Sequence, residues 1–148
     1  MIAESLEKSL HACGERPFLI TDSDRWTYSD THQRVNRLAA GLAARPCNSL
    51  ACYLPDSPEL IAIVLAAAIA GKQLLLLNRD FNMQQVEEQL SRLEIDLLIS
   101  DETVAGIAAD RQLTPDELDR LPADGAAALQ GNQGQLLLLT SGTTDQPK

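Results

Sequence analysis

The chain has 148 residues, of which 45% are hydrophobic, 22% charged and only 3% aromatic, and its formal net charge is −9. This length suits one domain with a core of leucine, isoleucine, valine and alanine. The negative charge argues against nucleic acid and against an anionic membrane surface as partners, because both would be repelled. It does not exclude small anions, which local donors can capture.

The amino terminus, the longest apolar run and the cysteines bear on the compartment. Residues 1–17 carry early acidic residues and no apolar stretch of the signal-peptide type. The run Leu60–Ala70 has about half the length that a membrane-spanning helix requires. The three cysteines, Cys13, Cys47 and Cys52, form no CxxC pair, which is typical of reduced thiols. The sequence therefore predicts a cytoplasmic protein without a membrane span.

The first part of the chain predicts a hairpin, a helix and a strand. Apolar residues 18–20 and Trp26 flank the turn Asp22–Asp24. Ser29 is the expected cap of the helix that follows. A short apolar strand is then predicted over Ser49–Tyr53. The apolar stripe of the helix has the spacing i, i+3, i+4 and i+7, at Val35, Leu38, Ala39 and Leu42.

The middle of the chain alternates helices and strands. Ser57 caps the next predicted helix, Pro58 takes its first position and Gly71 ends it. This helix is apolar nearly all round, so we expect burial on more than one side. Strands are predicted over Gln73–Leu77 and Asp96–Ser100. Between them lies a helix whose predicted apolar stripe is Met83, Val86, Leu90 and Leu93.

The last part predicts a short helix, a loop and a final strand. Thr114, Pro115 and Glu117 form a capping box at the start of the helix. Residues 123–134 are typical of a loop, and Gln135–Leu139 is the last strand. Strands that are apolar throughout are covered on both faces. Their alternation with helices predicts an α/β fold in one domain, a doubly wound, mainly parallel sheet with helices on both faces.

The segment "TSGTTDQPK", residues 140–148, follows that last strand directly. Ligands of α/β folds bind at the carboxyl ends of the strands. Gly142 lets the backbone turn and expose its N–H groups, and Lys148 can reach a phosphate as a point charge. The loop is not a Walker loop, because no glycine precedes the lysine and no Ser or Thr follows it. A polar turn is the alternative that local composition leaves open. Hydroxyl donors come from Thr140, Ser141, Thr143 and Thr144.

The order of these residues resembles the phosphate-loop signature of the adenylate-forming superfamily, which contains acyl- and aryl-CoA synthetases, luciferases and peptide-synthetase adenylation domains. Seven of the eight defined positions match, and Asp145 stands where the family has glycine. Upstream, "TYSDTHQRVNRLAAGL" and "LPDSPELIAIVLAAAIAGKQLLLLN" are similar to the family's opening segments. There Asp56 replaces a usual asparagine, and Leu76 and Arg79 replace prolines.

The resemblance implies that residues 1–148 are the first subdomain of the large amino-terminal domain of an enzyme that joins ATP to a carboxylic acid. It implies an acyl-adenylate, release of pyrophosphate, Mg²⁺ as cofactor and transfer to a thiol of CoA or a carrier protein. Catalytic residues and metal ligands are expected downstream of Lys148, so the chain alone should be inactive. The implied contacts to ATP phosphate come from Thr140, Ser141, Gly142, Thr143, Thr144 and Lys148.

Two pairs of alternatives remain open at this point. Asp145 either repels phosphate or turns outward and caps the turn. The chain is either part of a longer enzyme or a truncated, non-catalytic relic that acts as a binding or assembly module. If it is part of a longer enzyme, we expect an exposed apolar surface or an unpaired strand edge, and with it self-association of the isolated chain.

Overall fold

A computed structural model describes residues 2–120 and 134–139. The helices are α1 Ile2–Cys13, α2 Tyr28–Ala43, α3 Pro58–Ile69, α4 Met83–Arg92 and α5 Pro115–Asp119, with a 3₁₀ turn at Ala109–Arg111. The strands are β1 Pro17–Ile20, β2 Arg25–Thr27, β3 Ser49–Tyr53, β4 Gln73–Leu76, β5 Leu97–Ser100, β6 Gln112–Leu113 and β7 Gln135–Leu138. The predicted loop over residues 123–134 lies outside the described residues except for Gly134.

Five strands form one parallel sheet in the order β6-β5-β3-β4-β7, while β1 and β2 form the predicted antiparallel hairpin. The chain steps from β3 outward to β4 and then returns past β3 to β5. Because right-handed crossovers in opposite directions use opposite faces of a sheet, α3 and α4 cover different faces. The predicted doubly wound α/β fold is confirmed.

Two hydrophobic clusters lie on the two faces of this sheet. The first contains Leu50 and Cys52 of β3 together with buried residues of α2, α3 and α5, and the second contains Ala51 and Tyr53 of β3 with residues of α4. The neighbouring residues of β3 thus alternate between the clusters, as the pleat of a strand requires. The predicted stripe of α2 is confirmed, since its four members are fully buried: Val35, Leu38, Ala39 and Leu42.

The helix caps follow the sequence with one correction. The predicted Ser29 cap is wrong, because α2 begins at Tyr28 and its cap is Thr27. The Thr27 hydroxyl accepts the Asp30 N–H at 3.0 Å, and the Asp30 carboxylate accepts the Thr27 N–H at 2.9 Å, which forms a capping box two residues earlier than expected.

The other predicted caps are confirmed. Ser57 caps α3 with Pro58 at its first position, and the Thr114–Glu117 capping box opens α5. Gly71, just after the carboxyl cap of α3, has φ +67°. Glycine adopts this left-handed conformation without strain and so ends the helix.

Burial departs from the sequence pattern at the periphery. In α3, Ile61 is 39% exposed, so the expected burial on more than one side is incomplete. In α4, Val86 and Leu90 are buried, but the ends of the predicted stripe, Met83 and Leu93, are 39% and 37% exposed. Periodicity shows which residues share a face of a helix, but it does not show how far along the helix that face is covered.

Two elements were missed by the sequence patterns. Helix α1 packs Leu6 into the first cluster, and the two-residue strand β6 pairs with β5. Within the described ranges, no helix has both the length and the apolar character that crossing a membrane demands.

Candidate functional site

The carboxyl edge of the sheet contains the exits of β3, β4 and β7. Parallel pairing of β4 with β7 sets Leu76 opposite Leu138. The predicted phosphate loop, residues 140–148, follows Leu139 in the sequence, and its own structure lies outside the described residues. The structure therefore describes the strand that leads into this loop and the neighbours of that strand, while the roles of the loop residues stay predictions.

A crevice of about 480 Å³ opens at this edge where the chain leaves β3 and β4. These two strands send their connections to opposite faces of the sheet, and such a divergence is where doubly wound folds bind ligands. The apolar lining consists of Cys52, Leu54, Pro55, Leu60, Leu76 and Leu77. The polar lining consists of Asp56, Asn78, Arg79 and Asp80.

The β4–α4 loop, residues 78–81, forms one wall of the crevice and is held by hydrogen bonds. The Asn78 side chain accepts the Asp80 N–H at 2.9 Å, and the Asn78 carbonyl accepts the Phe81 N–H at 3.1 Å. The hydroxyl of Tyr53, at the end of β3, lies 3.1 Å from the Arg79 carbonyl oxygen and 2.9 Å from that of Phe81, so it donates to this wall. The last residue of β3 thus supports the loop after β4.

The guanidinium of Arg79 connects three strand ends. Its Nη1 donates to the Tyr53 carbonyl at 3.2 Å and to the Asp101 carboxylate at 3.0 Å. Its Cζ lies 4.5 Å from the centre of the Tyr53 ring, a cation–π contact. Because Tyr53 ends β3, Arg79 follows β4 and Asp101 follows β5, we call this group, Tyr53, Arg79 and Asp101, the Arg79 clamp.

Charge at this edge is negative on balance in the part of the chain that the structure describes. Asp56 and Asp80 line the crevice beside a single cation, Arg79, and that cation is paired with Asp101. Positive charge for a phosphate would therefore have to come from outside these residues. Lys148 of the predicted loop is the one candidate that the sequence pattern supplies.

Cys52 lines the crevice but is not a nucleophile. It is 1% exposed, and burial raises the pKa of its thiol to about 12. Cys52 belongs to the first hydrophobic cluster and is a core residue. Among the residues described, no group of three or more His, Cys, Asp or Glu side chains is arranged to hold a metal ion.

Sequence reasoning missed the members of the Arg79 clamp as site residues. In the sequence, Arg79 stands out only as a departure from a family proline, and Tyr53 and Asp101 only as strand-end positions. A usable signal exists, since each of the three ends or follows a predicted parallel strand, and such strand ends meet at one edge. Strand order is needed to show that they touch.

Comparison with known proteins shows which family the chain belongs to. A profile described as AMP-binding enzyme matches residues 6–148, nearly the whole chain. The chain therefore belongs to the AMP-binding enzyme family, as the phosphate-loop resemblance predicts.

Relatives and solved structures agree with this assignment. The medium/long-chain-fatty-acid–CoA ligase FadD6 of Mycobacterium tuberculosis is 29% identical over 91% of this chain and 26% of its own length. The solved amino-terminal subdomain of NpsA from Klebsiella oxytoca superposes with a TM-score of 0.81 at 25% identity, over 98% of this chain and 40% of that one.

A third comparison bears on the fold alone. The o-succinylbenzoate CoA synthetase of Bacillus subtilis, solved with ATP and magnesium, has a TM-score of 0.67 at 23% identity, over 80% of this chain and 34% of that one. The chain spans about a quarter of the FadD6 ligase's length and 40% of the NpsA chain.

Proposed function

We propose that this chain supplies the phosphate-binding loop of an enzyme that activates a carboxylic acid with ATP. The product would be an acyl-adenylate with release of pyrophosphate, followed by transfer of the acyl group to a thiol of CoA or a carrier protein. The observation that carries the proposal is the order of the chain: the segment that matches seven of eight signature positions follows β7 directly in the sequence, and β7 pairs with β4, whose carboxyl end lines the crevice. Family membership and the CoA ligase among the relatives support the same activity.

In this proposal residues 1–148 are the first subdomain of the larger adenylating domain. Gly142 permits close approach of the backbone to phosphate, and Lys148 neutralises phosphate charge. The hydroxyls that would donate to phosphate oxygens belong to Thr140, Ser141, Thr143 and Thr144. Three unpaired thiols support the cytoplasm as the proposed compartment.

ATP and Mg²⁺ are the proposed nucleotide and metal. A solved neighbour of the same fold carries both. The described residues supply no ligand set for Mg²⁺, and its protein ligands are expected downstream of Lys148, together with the phosphate oxygens and water that commonly coordinate Mg²⁺ at nucleotide sites. When bound, it would neutralise charge on the leaving pyrophosphate. The carboxylic acid substrate would bind to residues beyond this chain.

A truncated, non-catalytic module is the second candidate function. Asp145 in the loop and the negative balance of the crevice favour it, because both oppose phosphate. Either candidate predicts no adenylation by the 148-residue chain alone, and pyrophosphate exchange above background with any acid would contradict both.

The test is Mg·ATP affinity measured by calorimetry on the full chain. Replacing Lys148 by alanine should weaken binding by about tenfold, the effect of losing roughly 1.4 kcal/mol. Lys8→Ala, an exposed lysine on α1, is the matched control and should change nothing. Equal affinities of Lys148→Ala and Lys8→Ala for Mg·ATP would contradict a phosphate-binding loop. The non-catalytic module would then be the remaining candidate function.

Asp145→Gly tests the departure from the signature. A carboxylate about 5 Å from a phosphate oxygen is repelled by about 3 kcal/mol per unit charge at an effective dielectric near 20. Lys148, Mg²⁺ and water reduce this value. We expect Asp145→Gly to bind Mg·ATP more tightly than the parent chain. Unchanged or weaker binding would mean that Asp145 turns outward and caps the turn.

A further inference from the structure

The Arg79 clamp joins three strand ends that are distant in sequence. Arg79 donates across the end of β3 to Asp101 after β5, while Tyr53 donates back to the loop that carries Arg79. These contacts run in both directions between Tyr53 and the β4–α4 loop. The loop cannot change its path without breaking several of them together.

This loop borders the strand that leads into the predicted phosphate site. It continues from β4, which pairs directly with β7, and it forms one wall of the crevice through Asn78, Arg79 and Asp80. The position of the wall therefore affects the width of the crevice, which opens at the exits of β3 and β4, next to β7 in the strand order.

The clamp acts on the loop more than on global stability. The side chains of Arg79 and Asp101 are 41% and 40% exposed, and exposed ion pairs contribute little to the free energy of unfolding. The buried clusters hold the sheet together, so loss of the clamp should free the loop while the fold remains.

We propose that the Arg79 clamp is a positioning element of the nucleotide site: it fixes the β4–α4 loop so that the crevice keeps the shape that ATP requires. This rests on the proposed function. Arg79 acts through the loop, because its Nη1 donates to both Asp101 and the Tyr53 carbonyl and so holds the side chain against the ends of β3 and β5. In the upstream segment that is similar to the family's opening, this position is proline, which restricts the backbone and has no donor, so backbone control is the shared property.

Variants that change the charge in opposite directions distinguish a positioning role of the clamp from a direct electrostatic effect on ATP binding. Arg79→Met removes a positive charge and the donor of the clamp, whereas Asp101→Asn removes a negative charge and leaves only a weaker, neutral acceptor, so both weaken the clamp. Tyr53→Phe removes the hydroxyl hydrogen that the Arg79 and Phe81 carbonyls share, without a charge change. Arg37→Met is the matched control, because Arg37 pairs with Asp119 in an ion pair between α2 and α5.

The first measurement is Mg·ATP affinity of the full chain by calorimetry. We expect Arg79→Met, Asp101→Asn and Tyr53→Phe each to weaken binding by about fivefold, a typical coupling. The Arg79→Met/Asp101→Asn double variant should bind no more weakly than Arg79→Met alone, since the donor of the clamp is already lost. Tighter binding by Asp101→Asn would overturn the proposal, because the loss of a negative charge would then strengthen binding of the ATP anion by electrostatics alone.

The second measurement is hydrogen exchange of the Asp80 and Phe81 amides in the nucleotide-free chain. Both amides are bonded within the loop, so a broken clamp should increase their exchange while amides of β3 stay protected. Unchanged exchange in all three variants would overturn the positioning role. If the parent chain binds no Mg·ATP, the proposed function fails for this chain and the nucleotide part of the inference fails with it, whereas exchange still decides whether the clamp orders the loop.

Discussion

Strands β3 and β7 have the same local character and different surroundings. Both are short apolar segments of one parallel sheet, yet all residues of β3 are buried, whereas Leu136 and Leu138 of β7 are 49% and 62% exposed. Among the strands that the structure describes, β3 lies at the centre between β5 and β4, and β7 lies at the edge next to β4 alone. This difference shows that an apolar run specifies a strand but does not specify whether other elements bury it.

The exposed side of β7 can be identified from its register. Leu136 and Leu138 lie opposite Leu74 and Leu76 of β4, which contact the first hydrophobic cluster with α3. The alternate residue Leu137 contacts the second cluster. Helix α3 covers the β4 side and reaches only the start of β7, so the expectation that every apolar strand is covered on both faces is wrong for β7.

The largest expected effect on stability comes from shortening one leucine side chain in each of the two strands. Leu50→Ala in β3 should lower the free energy of unfolding by about 2–5 kcal/mol, because a fully buried leucine leaves a cavity. Leu138→Ala, the matched control in β7, should change it by less than about 0.5 kcal/mol. Urea unfolding measures both, and equal losses would show that β7 is as well covered as β3.

The contact between β7 and α3 gives an intermediate effect. A Cβ placed on Gly134 would lie 2.7 Å from the Ala68 Cα and 3.0 Å from the Lys72 carbonyl oxygen, both backbone atoms that cannot yield easily. Gly134→Ala should therefore cost about 1–3 kcal/mol and loosen β7 first. Amide exchange should rise in β7 before β3, and uniform protection would contradict this order.

The amino end of the β3–β5 pair and that of the β4–β7 pair should respond differently to acid. Asp96 accepts hydrogen bonds from the Asn48 and Ser49 backbone and from the Ser49 hydroxyl, which lower the pKa of its carboxyl group. A lowered folded-state pKa gives a stabilising contribution that is complete above the ordinary aspartate value of about 3.9 and is lost as the pH falls through the folded-state pKa. The Gln73–Gln135 amide pair between β4 and β7 carries no titratable group.

Asp96→Asn should therefore cost about 1 kcal/mol at neutral pH and reduce the loss of stability on acidification. Some acid dependence should persist, since the Thr27 N–H and hydroxyl also lower the pKa of Asp30. Thermal unfolding between about pH 2 and pH 7 measures both effects. An unchanged slope for Asp96→Asn would contradict this account.

The smallest effect on stability should accompany a change in association. Leu138→Lys adds a charge to the exposed face of an edge strand, a substitution that discourages edge pairing, and should change unfolding by less than about 0.5 kcal/mol. We expect the parent chain to self-associate and Leu138→Lys to be monomeric by light scattering. A parent chain that is a compact monomer with a high melting temperature would refute this prediction.

The site was predictable only where its chemistry is contiguous in sequence. Residues 140–148 form one uninterrupted segment, so the order of its side chains is enough to indicate the family. The crevice combines Asp56 from one connection with Asn78–Asp80 from another, and the Arg79 clamp adds Asp101 from a third. Which strand ends meet depends on strand order, and no local pattern specifies it.

By itself, the sequence determined the class of fold, the positions of nearly all the elements and the family. These follow from local physics: apolar periodicity, capping side chains such as Ser57 and Thr114, and glycine at a helix end. The tertiary structure alone decided that β3 lies at the centre and β7 at the edge, that Thr27 instead of Ser29 caps α2, and that Arg79 bridges three strands. Burial and side-chain pairing depend on neighbours brought together by packing, so residues far apart in the chain decide them jointly.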